Sequence, residues 1–240
     1  MILEIDMGNS RIKWRCRGES GNLARGVVSD SYQHLAAEWT ALPIRRVWVA
    51  SVRGEAHNEA FRQWCRTNLQ LEAEFARSAR HAAGVTNSYA NPGLMGVDRW
   101  LAMLAAFAHT GGSCVVVQAG SALTADLLSA SGEHLGGYIG PGLSMMQRAL
   151  ANGTAQVGSK GGVWDRLSVT PGTDTAGAVK GALGAMALGL VTTARTQLGA
   201  ANASLLVTGG DGPALAAHLP NARLMPELVL DGLALALSDQ

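Results

Sequence analysis

The chain has 240 residues, 48% of them hydrophobic and 15% charged, with 19 Lys and Arg against 18 Asp and Glu. That length exceeds one typical domain, the apolar share supports a sizeable core, and the balanced charge leaves nothing to bind a polyanion, which argues against nucleic acid as a partner. Cys16, Cys65 and Cys114 form no CxxC pair and no zinc spacing, and an odd count argues against a disulfide framework, so a reducing cytoplasm is expected. Glu4 and Asp6 interrupt the first apolar run, unlike a signal peptide, and the richest apolar stretch, residues 181–191, is too short to span a bilayer, so no membrane association is expected.

In chain order, residues 1–5 predict a short strand that runs into Asp6-Met7-Gly8-Asn9-Ser10, after which residues 12–15 alternate as a returning strand. Residues 47–52 read as a strand and 57–69 as a helix with Phe61, Trp64 and Leu69 at helical spacing. Residues 87–96, with Tyr89, Pro92 and two glycines, predict a loop. Asp98 opens a strong apolar helix that Gly111-Gly112 terminates. Residues 114–117 predict a strand, 118–122 a small turn and 123–128 the returning strand. A shift of 112 residues lays Asp6 on Gln118, Gly8 on Gly120 and Asn9 on Ser121, a short match that chance or an internal duplication explains equally well. Residues 136–142 read as a Gly/Pro turn, 143–150 as a helix, 152–170 as a connection with little periodicity, and 175–193 as a helix of small residues. Residues 204–207 predict a strand ending in Thr208-Gly209-Gly210-Asp211-Gly212, with a helix over 213–218. The expected organisation is two α/β lobes, residues 1–113 and 114–240.

A glycine turn between two strands lets backbone N–H groups converge on an anion because no side chain blocks the approach. Asp6 at the strand end adds a carboxylate for Mg²⁺, and Asn9, Ser10 and Lys13 add donors for phosphate oxygens. The turn is neither GxxxxGK[ST] nor GxGxxG. An ordinary hairpin with turn hydrogen bonds is the competing reading. Asp98 suits an N-cap or a catalytic base, Tyr89 suits packing or ligand contact, and the TGGDG turn either receives a nucleotide or only reverses the chain. The six histidines, at 34, 57, 81, 109, 134 and 218, show no metal spacing and read as surface or packing residues, while Trp14, Trp100 and Trp164 read as core or interface.

Taken together, DMGNSRIK at 6–13, VTNSYANPGLMGVDRW at 85–100, QAGSALTAD at 118–126, GGYIGPG at 136–142 and TGGD at 208–211 resemble the type III pantothenate kinases along nearly the whole chain. The resemblance implies two ribonuclease-H-like lobes of the actin-like kinase superfamily, with mixed five-stranded sheets flanked by helices and a nucleotide cleft between them. It implies that Asp6, Met7, Gly8, Asn9, Ser10, Arg11, Ile12 and Lys13 hold ATP with Asp6 near Mg²⁺, that Ser121 touches the phosphates, and that Tyr89, Gly96, Val97, Asp98, Arg99 and Thr175 contact pantothenate. Asp98 matches the family's catalytic base. The family is dimeric, so a homodimer is implied. Gln118 departs from the pattern: it stands where the family carries an Asp that binds K⁺ or NH₄⁺, and a neutral amide lacks the charge that holds such a cation. A noncatalytic regulatory relative, like the Bvg accessory factors, and an actin-like kinase for another hydroxyl substrate are the alternatives.

Overall fold

The computed structural model describes residues 1–18, 21–28, 31–154 and 167–238. Trp164, and residues 155–166 of the connection expected over 152–170, lie outside the described residues. The chain divides into two compact units, one of Met1–Ala83, Tyr89–Ala105 and Leu228–Gln240, the other of Gly84–Ser88 and Ala106–Glu227.

The first unit is built on β1 (Ile2–Met7), β2 (Ile12–Gly18), β3 (Gly21–Val28), β4 (Arg46–Ser51) and β5 (Ala73–Phe75), in the order β3-β2-β1-β4-β5. β1 is antiparallel to β2 and parallel to β4. As the central strand it is covered on both faces: Leu3, Glu4 and Ile5 have no solvent exposure. The buried Glu4 is tolerated because Arg15, directly opposite it on β2, and Arg17 both donate to its carboxylate. Arg15 also donates to Asp231 at 2.7 Å.

Helix α1 (Ala36–Thr40) and the amphipathic α2 (Glu55–Asn68) cover one side of this sheet. Trp39, Phe61 and Trp64 form its aromatic core, with the Phe61 and Trp64 rings stacked at 5.9 Å. After the two short strands β6 (His81–Ala82) and β7 (Val85–Thr86), α3 (Val97–Thr110) is apolar all round from Trp100 to Ala108, and Trp100 through Ala106 are all buried, as such a segment requires.

The second unit repeats the pattern with β8 (Cys114–Ala119), β9 (Ala122–Leu128), β10 (His134–Pro141), β11 (Ser204–Thr208) and β12 (Ala222–Leu224), in the order β10-β9-β8-β11-β12. Strand directions match those of the first sheet: β8–β9 and β9–β10 are antiparallel, β8–β11 and β11–β12 parallel. β1 and β8 correspond residue for residue under the 112-residue shift, which supports duplication over chance.

One expectation is corrected. Residues 136–141 are strand rather than turn, because Gly137 to Pro141 pair in register with β9. β10 is an edge strand, where a terminal Pro forfeits no central ladder bond, and a bulge after His134 is accommodated by Gly136 at φ 117°.

Helix α4 (Leu143–Gly153) follows, then α5 (Thr175–Leu198). α5 is long and apolar enough to cross a membrane by length and composition. Its Val179, Leu183, Ala187, Val191 and Ala194, however, form one stripe buried in the core of this unit with Val115, Val117 and Leu123. Gly184 permits the close approach of residues 167–170, since a Cβ there would fall 2.1 Å from the Ser168 carbonyl oxygen. A short α6 (Gly212–Ala216) follows β11. The last helix, α7 (Leu228–Leu237), packs in the first unit, with Gly232 against the Leu101 carbonyl of α3.

Candidate active site

In the first unit, the antiparallel register sets Asp6 on β1 directly opposite Lys13 on β2, so their side chains emerge on the same face. Residues 8–11 turn between them, with Asn9, Ser10 and Arg11 exposed. Asp6 is half-buried. Its pKa is raised from 3.8 to about 6, chiefly by desolvation, with Lys13 pulling it down and the Asp98 carboxylate adding to the rise. Asp98 therefore shares an electrostatic environment with Asp6, although 92 positions separate them in the sequence.

Asp98 occupies the first turn of α3, where its Oδ1 accepts from the Arg99 N–H at 2.8 Å. Gly96 matters here because a Cβ would lie 2.7 Å from that same Oδ1. A side chain at residue 96 would make the Asp98 carboxylate move from this position.

Arg99 is 4% exposed, and its Nη1 donates to the Tyr89 hydroxyl at 2.9 Å, with the guanidinium 5.7 Å from the ring centroid. The loop that carries Tyr89 is held at both ends. Arg80 donates to the Ala90 carbonyl at 2.8 Å, and Ser78 Oγ to the Met95 carbonyl at 2.9 Å. Asn91 caps the short 3₁₀ turn Pro92–Leu94 through the Gly93 N–H. Tyr89, Asp98, Arg99, Asp6 and Lys13 thus all belong to the first unit.

Gln118, Ser121 and Thr175 belong to the second unit. Gln118, next to last on β8, lies opposite Thr124, at the position equivalent to Asp6. Ser121 sits in the tight 120–121 turn. The neighbouring backbone is packed too closely for any side chain: a Cβ on Gly142 would lie 1.9 Å from the Gly120 carbonyl oxygen, and one on Gly209, at φ 97°, 2.2 Å from that of Ala119. A small, mostly apolar cavity opens beside these glycine turns, lined by Gly120, Gly142, Leu143, Asp211 and Leu215 among others. Thr175 is the exposed first residue of α5, whose N-cap Asp174 accepts from the Gly177 N–H at 2.6 Å.

Two groups escaped the sequence reading. Arg53, just beyond β4, donates from Nε to the Gly8 carbonyl at 2.7 Å. Asp126 and His134 form a pair with fully buried side chains, Oδ1 to Nε2 3.1 Å, and Ser88 Oγ meets the other ring nitrogen at 2.9 Å. Asp126 stood at the end of a motif segment, but strand alternation alone says nothing of a partner eight residues on.

Two topologically equivalent five-stranded mixed sheets, each with a glycine turn after its first strand, define the actin-like kinase fold. Solved structures with this fold include a candidate 2-dehydro-3-deoxygalactonokinase from Sinorhizobium meliloti, 17% identical with TM-score 0.61 over 100% of this chain and 99% of that one. A candidate Baf-family transcriptional activator from Campylobacter jejuni is 21% identical with TM-score 0.59 over 99% and 98%. The sequence profile of the type III pantothenate kinases matches residues 2–197. A type III pantothenate kinase from Cellvibrio japonicus (strain Ueda107) is 40% identical over 97% of this chain and 95% of its own, and one from Pseudomonas putida (strain KT2440) is 39% identical over 98% of both. The chain belongs to the type III pantothenate kinase family.

Proposed function

We propose that this protein transfers the γ-phosphoryl group of ATP to the primary hydroxyl of pantothenate, giving 4′-phosphopantothenate, the first step of coenzyme A biosynthesis. The observation that carries the mechanism is that Asp98 and Asp6 act on each other within one unit. One carboxylate serves the acceptor and the other the donor side of a single phosphoryl transfer.

Asp98 is the general base. A primary alcohol is a weak acid, so the carboxylate orients the hydroxyl and takes its proton as the phosphoryl group moves. Its fixed position over Gly96 supports that role, since alignment supplies much of the rate in such reactions. Arg99 and Tyr89, hydrogen-bonded to one another, hold pantothenate beside it, with Gly96 and Val97 allowing close approach.

Residues 6–13 cradle the triphosphate through the turn N–H groups and the Lys13 ammonium. Asp6 fits a divalent ion: a bound cation would relieve a carboxylate whose charge is disfavoured by burial and by the Asp98 charge. Asp6 would hold Mg²⁺, which would supply positive charge against that developing on the phosphates. Gln118 keeps an oxygen ligand at the monovalent-cation position without its charge, so dependence on K⁺ or NH₄⁺ is weakened.

Exposed apolar side chains of the second unit, including Ile139 at 64% and Met186 at 53%, support a homodimer. The three cysteines are buried free thiols, which supports a reducing, cytoplasmic location.

The test is ADP release with pantothenate, with and without K⁺ or NH₄⁺, on the native protein and on Asp98→Asn. Turnover by the native protein and a loss of about 10²–10⁴-fold in kcat for the variant, with ATP affinity retained, is the expected result. Equal activity of the two proteins would remove Asp98 from the reaction.

A further inference from the structure

Arg53 lies two residues past the end of β4, the strand parallel to β1. At this point the two chains are tied together by backbone and side chain. The Val52 N–H donates to the Met7 carbonyl at 3.2 Å, and Arg53 Nε donates to the Gly8 carbonyl at 2.7 Å. The Arg53 N–H in turn donates to Ser51 Oγ at 3.3 Å, which shapes the backbone from which the guanidinium is projected. Arg53 is half-buried.

The Gly8 carbonyl is a sensitive place for such a donor. In a trans peptide the C=O and the following N–H point in opposite directions. An oxygen directed at Arg53 therefore turns the Asn9 N–H the other way. Glycine has no Cβ to bias its torsions, so the 8–9 peptide is free to flip unless something holds it. A flip would present a carbonyl dipole, negative end first, to any phosphate in the turn. A hydrogen bond from a charged donor is the strong kind, and it opposes that flip.

We propose that Arg53 is a positioning residue of the phosphate turn, holding the Gly8 carbonyl outward so that the Asn9 N–H remains directed at the nucleotide's phosphate. This rests on the reading of residues 6–13 as the ATP turn. Arg53 acts through Gly8 and makes no contact with pantothenate.

Arg53→Ala, Arg53→Lys and Lys13→Ala, each checked by thermal melting, test this through equilibrium titration with ATP in Mg²⁺ and through steady-state kinetics in both substrates. Loss of a charge-assisted hydrogen bond predicts that Arg53→Ala weakens ATP binding about tenfold or more and raises the KM for ATP. The KM for pantothenate should stay within about twofold, because the donor acts on the phosphate side only. Arg53→Lys, whose ammonium still donates, should recover most of the loss. If Lys13→Ala weakens ATP binding and Arg53→Ala does not, the role of Arg53 is refuted while the turn reading stands. If neither weakens it, the turn reading itself is wrong. A parallel rise in both KM values with a lowered melting temperature, unrescued by lysine, would mark Arg53 as merely structural and also overturn the proposal.

Discussion

Asp6→Asn offers the clearest quantitative check on the site, because its effect on stability runs opposite to its effect on activity. The folded protein holds the Asp6 pKa at about 6 against an unperturbed 3.8, first through desolvation and then through the Asp98 charge, which together outweigh Lys13. A raised carboxyl pKa means that the folded state binds the proton more tightly than the unfolded chain. Stability therefore falls as pH rises from about 4 to about 6 and stays low above that. At 1.36 kcal/mol per unit, the difference gives a ceiling of about 3 kcal/mol at neutral pH. The asparagine variant carries no such cost. In nucleotide-free buffer with chelator it should melt higher than the native protein at pH 7.5, by roughly 6–12 °C at the ceiling, and the gap should close towards pH 3.5. Thermal denaturation followed by circular dichroism across this pH range is the assay. Mg²⁺ with ATP should narrow the gap at pH 7.5 by stabilising the native protein alone, while turnover by the variant is lost. Equal melting temperatures at pH 7.5, or a gap that does not depend on pH, would refute the burial and crowding of the Asp6 carboxylate on which the site depends.

Tyr89→Phe removes the acceptor of a buried guanidinium, so the KM for pantothenate should rise several-fold, on the order of 1–2 kcal/mol, with ATP binding unchanged; steady-state kinetics in each substrate reads this. Gln118→Asp should create or strengthen activation by K⁺, and an identical salt response in the two proteins would remove the cation assignment. Gly209→Ala should destabilise the second unit by about 3 kcal/mol or more, because the new methyl meets the Ala119 carbonyl and the residue is held at φ 97°, and a denaturant titration measures it. Glu4→Gln leaves Arg15 and Arg17 facing a neutral buried amide and should cost about 3–5 kcal/mol by the same measurement.

Much of this was readable from local pattern. Alternation and turn residues located β1, β4, β8, β9 and β11 to within a residue or two and the start of β2, which runs three residues beyond the alternation read over 12–15, because each is bounded by glycine or by a change of period. The apolar run opening at Asp98 marked α3, and the motif order singled out Asp6, Tyr89, Asp98 and Arg99. Residues 136–141 misled because glycine signals a turn locally, whereas here the partner strand β9 supplies the hydrogen bonds that make them strand. α7 went unread because Leu228–Leu237 is apolar on every side and has no period to detect.

The sequence alone determined which residue types were present for phosphoryl transfer and which local elements carried them. Only the tertiary structure decided what comes near what: the Asp98 charge to Asp6, Lys13 across from Asp6, Arg99 on Tyr89, Arg53 on the Gly8 carbonyl, and Asp231 on Arg15. Local periodicity reports the torsions of neighbouring residues, whereas the field at a carboxylate depends on charges brought near it by chain folding. Distance in space, and the exclusion of water that sharpens it, have no signature in linear order.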